Sequence, residues 1–178
     1  MTDKLALRAC LRAARDGFGH DAAVPLAEAF VMRLANRPVV ASYIPIGSEA
    51  DPAAFVAAAR DAGCTLALPH VSTRAAPMRF LRWDPAAALT EGPFRLRQPD
   101  SNAATVRPDI ILTPLLGFDR HGNRLGQGAG HYDRAFAAYP EAWRIGIAWS
   151  VQQLGALVPD PWDVPLHAIA TESDWIVP

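Results

Sequence analysis

Ile110-Ile111-Leu112-Thr113-Pro114-Leu115-Leu116-Gly117-Phe118-Asp119-Arg120-His121-Gly122-Asn123-Arg124-Leu125-Gly126-Gln127-Gly128-Ala129-Gly130-His131-Tyr132-Asp133-Arg134-Ala135-Phe136 is the stretch whose reading decides the fold. It opens as an apolar run of strand length ending at Pro114 and turns at Asn123. It then passes through a loop with glycine at every second position, and leaves into Tyr132, Asp133 and Arg134 followed by apolar residues at helical spacing. Strand, glycine loop and helix start together present backbone N–H groups to an anion, because glycine allows close approach and positive φ. The loop lacks the Gly-Lys-Ser/Thr of a P-loop and the G-x-G-x-x-G of a dinucleotide fingerprint. A tight strand-to-helix connection would explain three glycines alone. Arg124, Asp133 and Arg134 around them favour a metal–phosphate ligand.

Outward from that stretch, the chain alternates between the two periodicities. Thr2 or Asp3 caps a first helix with Leu7, Leu11, Ala14 and Phe18 on one face, while Lys4, Arg8, Arg12 and Arg15 form a stripe. That stripe is either solvated or turned toward an anion. Pro25 opens a second helix reaching Leu34. Val39–Ile44 reads as a buried strand closed by Pro45, and its exit loop carries Glu49 beyond a strand's carboxyl end, where ligands bind in open α/β sheets. Pro52 starts a third helix to about Ala62. Thr65–Leu68 reads as a strand stopped by Pro69, and Met78–Trp83 as a half-exposed strand. Residues 84–108 read as a long connection with little regular structure, the kind that is functional in a compact domain. Beyond the central stretch, Arg144–Trp149 is a strand and Val151–Leu157 a short helical piece. Val158–Asp163 is a rigid turn bearing Asp160 and Asp163, and Ala168–Thr171 and Trp175–Val177 are closing strands.

Alternating strands and helices predict one α/β domain, residues 1–178, with a mainly parallel sheet covered on both faces. A length of 178 residues suits one sizeable core, and 17 basic against 18 acidic residues give a net charge of −1. That balance argues against nucleic-acid or membrane partners by bulk electrostatics, so any anion site is local. Lys4 is the only lysine among the basic residues. Cys10 and Cys64, without CxxC spacing, make neither a disulfide framework nor a zinc site and fit a reducing cytoplasm. No signal-peptide pattern or run of membrane-spanning length appears, and the expectation is a cytoplasmic monomer.

The segment Gly117–Arg134 resembles the signature of the 5-formyltetrahydrofolate cyclo-ligase family. Lys4 and Arg8 resemble that family's N-terminal Lys-x-x-x-Arg nucleotide-contacting pattern, and Tyr43-Ile44-Pro45 with Glu49 resembles its folate-binding strand and loop. Arg97-Gln98-Pro99, Gly146-Ile147-Ala148 with Gln152, and Val158-Pro159 with Asp163 recur in the same order. The resemblance implies a Rossmann-like layered fold akin to sugar-phosphate isomerases and CoA transferases. It implies ATP- and Mg²⁺-dependent cyclisation of 5-formyltetrahydrofolate, polyglutamylated or not, to 5,10-methenyltetrahydrofolate with release of ADP and phosphate.

By the same resemblance, Lys4, Arg8 and the loop Arg124, Leu125, Gly126, Gln127, Gly128, Ala129, Gly130, His131 and Tyr132 hold the triphosphate, with Arg124 catalytic. Ile44, Glu49 and residues Gln127 to His131 contact the folate, and Asp133 with Asp163 holds Mg²⁺. The chain departs from the family pattern at His131, where tyrosine is usual, and at Ala129, often glycine or lysine. Ala129 is therefore expected at φ < 0. The rival readings are a non-catalytic folate- or nucleotide-binding relative, and a sugar-phosphate isomerase-like enzyme using Glu49 as base. The second leaves Lys4, Arg8 and Asp163 unexplained.

Overall fold

Val40, Leu66, Ile110, Leu112, Ile145 and Ile147 pack into one core cluster, whereas Ala41, Ala67, Ile111 and Ile169 pack into another. This alternation is the period of two of a strand buried on both faces. The computed structural model describes residues 3–18, 22–73, 76–93 and 96–178. The strands are β1 (Val39–Ala41), β2 (Thr65–His70), β3 (Arg79–Arg82), β4 (Thr90–Glu91), β5 (Arg97–Gln98), β6 (Thr105–Val106), β7 (Ile110–Pro114), β8 (Gly117–Phe118), β9 (Arg124–Leu125), β10 (Trp143–Ile147), β11 (Ala168–Ala170) and β12 (Trp175–Ile176). The helices are α1 (Lys4–Asp16), α2 (Glu28–Arg33), α3 (Ala53–Asp61) and α4 (His131–Ala138).

Eight strands form one sheet in the order β12-β11-β10-β7-β1-β2-β3-β6. β2, β1, β7, β10 and β11 run parallel, and β3 and β12 pair antiparallel at the two sides. The chain winds outward from β1 through β2 and β3, then returns to the other side of β1 with β7 and winds outward through β10 and β11. Strand order therefore reverses between β1 and β7, and the carboxyl ends of that pair are where such sheets bind ligands. Phe30 of α2 and Phe55 of α3 pack edge-on at 4.9 Å over one face, and Ala135 and Phe136 of α4 cover the other.

Several elements differ from the sequence expectation. Asp3 caps α1, its side chain accepting from the Leu5 N–H at 2.9 Å, and Thr2 lies outside the described residues. Ala14 is exposed, and the buried positions of α1 are Leu11 and Arg15. α2 starts at Glu28 rather than at Pro25, because Ala27 remains extended. Pro69 lies inside β2, paired with Phe80. β1 has ended beside Ala67, so the missing N–H breaks no ladder bond. β3 does not alternate, since Phe80 and Leu81 are both buried. Residues 84–108, of which Phe94 and Arg95 lie outside the described set, hold the β4–β5 pair and the edge strand β6. In place of a helix over Val151–Leu157 there is one 3₁₀ turn, Ser150–Gln152.

The exit of β7 is held by buried Gln152, whose amide donates to Leu115 O at 2.7 Å and Leu116 O at 3.1 Å. The chain then makes the β8–β9 hairpin, whose turn includes Gly122 at φ 81°. A Cβ there would lie 2.6 Å from the carbonyl oxygen of Leu166, and the Leu166 N–H bonds Gly122 O at 2.9 Å. Gly122→Ala combines left-handed strain with a backbone collision. It is expected to lower stability by about 2 kcal/mol or more, measured by urea unfolding.

Candidate active site

Helix α1 lies with its cationic side over the glycine loop, and each charge of the stripe meets an acceptor. Lys4 Nζ bonds Asp160 Oδ2 at 2.6 Å and stands 3.9 Å from Asp163 Oδ2. Arg8 Nε donates to Gly126 O at 2.9 Å, Arg12 Nη2 to Gln127 Oε1 at 2.7 Å, and Arg15 Nε to Ser48 Oγ at 3.0 Å. Arg8 and Arg12 thus reach the loop, Arg12 while still exposed to solvent, and Lys4 and Arg15 reach the segments on either side of it. One cleft of 580 Å³ lies at the carboxyl ends of β1, β2 and β7. All fifteen sequence-predicted residues line it: Lys4, Arg8, Ile44, Glu49, Asp163 and the continuous run Arg124 to Asp133.

The loop takes its shape from alternating glycine conformations. Gly128 has φ 102° and Gly130 φ 64°, and Ala129 between them keeps a negative φ, as its methyl group requires. Gly130 precedes α4 with no side-chain cap, so the first N–H groups of that helix open toward the cleft. His131 Nδ1 lies 3.1 Å from Arg134 Nη2. A guanidinium can only donate, so Nδ1 accepts, and burial with the nearby Arg134 charge pushes the His131 pKa down. Both effects disfavour the protonated imidazole.

At the centre of the cleft, Arg124 is nearly sealed, with its Nη2 bonded to Asp133 Oδ1. Its guanidinium sits 5.0 Å over the Phe136 ring, and its buried Nε has no hydrogen-bond partner among the described residues. The arginine is pinned in place with donor capacity left over. In the C-terminal turn the Asp160 N–H bonds Asp163 Oδ2 at 2.8 Å, and among the described residues the other oxygen of Asp163, like one oxygen of Asp133, makes no hydrogen bond. Among the described residues no three His, Cys, Asp or Glu side chains stand together. A cation here would depend on a ligand's oxygens as well as on these carboxylates.

The deep end is different in character. Tyr43 is buried and donates to Ala50 O, and Glu49 Oε2 accepts the Ile46 N–H at 3.0 Å. Burial pushes the Glu49 pKa up, opposed by the Ile46 N–H, the Arg15 charge and the Gln127 side chain. Burial, with Glu49 nearby, also raises Tyr132 and Tyr43. Two participants escaped the sequence reading. Arg15 belongs to the stripe but pairs with Glu49 at 3.7 Å, which only the approach of the 46–49 loop decides. Asp160 was visible as the second carboxylate of its turn, and its partner Lys4 is 156 residues away.

A family model described as the 5-formyltetrahydrofolate cyclo-ligase family matches residues 1–172. A 5-formyltetrahydrofolate cyclo-ligase of Haemophilus influenzae is 38% identical over 100 residues, which is 51% of this chain and 51% of that protein. The chain thus spans about half the length of that relative. A protein of the same name from Mycolicibacterium smegmatis is 32% identical over 155 residues, 82% of this chain and 79% of the relative. The NMR structure of Aquifex aeolicus 5,10-methenyltetrahydrofolate synthetase matches with TM-score 0.78 and 27% identity, covering 98% of this chain and 92% of that one.

Asp119 sets the base of the loop. It is wholly buried, and it accepts from His121 N at 2.9 Å, Asn123 N at 3.0 Å, Asn123 Nδ2 at 2.9 Å and Leu157 N at 2.8 Å. Burial alone would raise its pKa, but these donors hold it below the usual carboxylate range. A depressed folded-state pKa stabilises above the unfolded value and is lost on acidification through the folded one. Asp119→Asn, which turns an NH₂ group toward donors, is expected to cost about 1–3 kcal/mol at neutral pH. The gap from the parent should narrow below pH of about 4, as urea unfolding across pH will measure.

Proposed function

The chain belongs to the 5-formyltetrahydrofolate cyclo-ligase family, and from that premise we propose that it is an enzyme catalysing ATP- and Mg²⁺-dependent cyclisation of 5-formyltetrahydrofolate to 5,10-methenyltetrahydrofolate. The observation that carries this reading is the polarity of one cleft. Lys4, Arg8 and the glycine loop form its anion-accepting end, and the buried Glu49 carboxylate forms an end that accepts N–H groups. A triphosphate and a reduced pterin need those two ends side by side.

A formamide carbonyl is a poor electrophile, and its oxygen leaves only when derivatised. Transfer of the γ-phosphoryl group of ATP to that oxygen, with release of ADP, makes it a leaving group. N10 of the folate then attacks the activated carbon, and phosphate departs as the ring closes. The protein contributes positioning and charge neutralisation rather than a covalent intermediate. Lys4 and Arg8 neutralise the triphosphate, the Gly126–Gly130 backbone cradles it, and Arg124 stabilises charge developing on the transferred group. Its buried Nε, without a partner among the described residues, supports that assignment.

The free carboxylate oxygens of Asp133 and Asp163 fit Mg²⁺, which takes one or two carboxylates together with phosphate and water. Mg²⁺ would supply further charge neutralisation across the phosphates. Glu49 accepts from pterin N–H groups with Ile44 packing beside the ring, and His131 lines the same cleft. A monomeric enzyme in the cytoplasm completes the reading.

The experiment is near-ultraviolet absorbance for methenyltetrahydrofolate with purified protein, 5-formyltetrahydrofolate, ATP and Mg²⁺. The product band is expected to grow and to stop when ATP or Mg²⁺ is left out. A flat trace from folded protein that still binds the folate would favour a non-catalytic relative. Arg124→Ala is expected to lower kcat by about 100- to 1000-fold, with the circular dichroism spectrum unchanged.

A further inference from the structure

Arg15 has a chemistry the proposed reaction leaves unused. Its side chain is 6% exposed, and that of Glu49 beside it 11%. Of the five N–H donors of the guanidinium, the structure fills one, from Nε to Ser48 Oγ. Among the described residues neither Nη1, sealed from solvent 3.7 Å from Glu49 Oε1, nor Nη2 makes a hydrogen bond. The group cannot swing away to satisfy them. Ser48 Oγ is itself tied to Asp16, and Trp149 Nε1 holds Ser48 O at 2.9 Å. A guanidinium nitrogen sealed from solvent without an acceptor is costly unless a ligand brings one, and both Arg15 and Glu49 line the cleft.

We propose that Arg15 donates to the ring carbonyl oxygen of the folate while Glu49 accepts from the neighbouring ring N–H and amino groups, so that the pair reads a 2-amino-4-oxopyrimidine edge. This rests on the reading that reduced folate occupies the Glu49 end. Such an edge carries an acceptor oxygen next to N–H donors, and the protein offers the mirror image, a fixed donor next to a fixed acceptor. A ring with an amino group in place of the carbonyl would set donor against donor. Sites built around a hydrogen bond reject the analogue that cannot make it.

Binding of 5-formyltetrahydrofolate and of its 4-amino-4-deoxy counterpart, measured by calorimetry without nucleotide, tests this. The parent protein is expected to prefer the 4-oxo ligand. Arg15→Met should weaken the 4-oxo ligand about ten- to a hundredfold and leave the 4-amino ligand no weaker. Arg15→Lys keeps the positive charge facing Glu49, protects the fold, and should still lose most of the preference because a point charge lacks the fork. Equal weakening of both ligands, or an unchanged preference in Arg15→Lys, overturns the assignment. Glu49→Gln separates the two levels of the account. If it leaves folate affinity unchanged, the placement of folate is wrong and this inference falls with it. If it weakens folate while the Arg15 variants do not, only the Arg15 assignment fails.

Discussion

Four cations on one side of a single helix repel one another unless each meets an acceptor, and in this protein every one of them does. Lys4 meets the carboxylate of Asp160, Arg8 the Gly126 carbonyl, Arg12 the Gln127 amide, and Arg15 the Ser48 hydroxyl beside Glu49. These contacts come from three separate parts of the chain: the turn after 3₁₀ residues 150–152, the glycine loop, and the exit of β1. Helix α1 therefore fastens together the pieces that line the cleft. Its charges set the cleft's polarity, from the half-buried lysine at one end to the buried arginine–carboxylate pair at the other.

The sheet explains why those pieces meet at all. Reversal of winding between β1 and β7 leaves their carboxyl ends open, and the loops leaving them carry Glu49 on one side and the 117–131 segment on the other. Asp119 and Gln152 do the quieter work of fixing where the second loop starts, each through buried hydrogen bonds to backbone groups. Rigidity at the base suits the proposed phosphoryl transfer, in which small displacements of the reacting groups cost rate.

Much of this was legible in the residues. Strand and helix periods gave an α/β layer arrangement, and the strand–glycine–helix pattern located the loop because positive φ at Gly128 and Gly130 is a requirement the sequence records directly. What was not legible depended on neighbours. Pro69 reads as a strand end, yet it is tolerated because β1 stops beside Ala67. β4, β5 and β6 are two-residue strands whose pairing is set by partners, not by their own pattern. Charge spacing placed Arg15 on the stripe, but its inward turn depends on a loop 33 residues further along.

The central claim is that one cleft holds two ligands at chemically opposite ends, and selective loss at each end tests it most directly. ATP–Mg²⁺ and 5-formyltetrahydrofolate would be titrated separately, by calorimetry, onto the parent protein, Lys4→Met and Glu49→Gln. The account predicts that Lys4→Met weakens the nucleotide and leaves the folate, that Glu49→Gln does the reverse, and that each ligand binds the parent once. Equal weakening of both ligands by either variant, or failure of the parent to bind one of them, would contradict it.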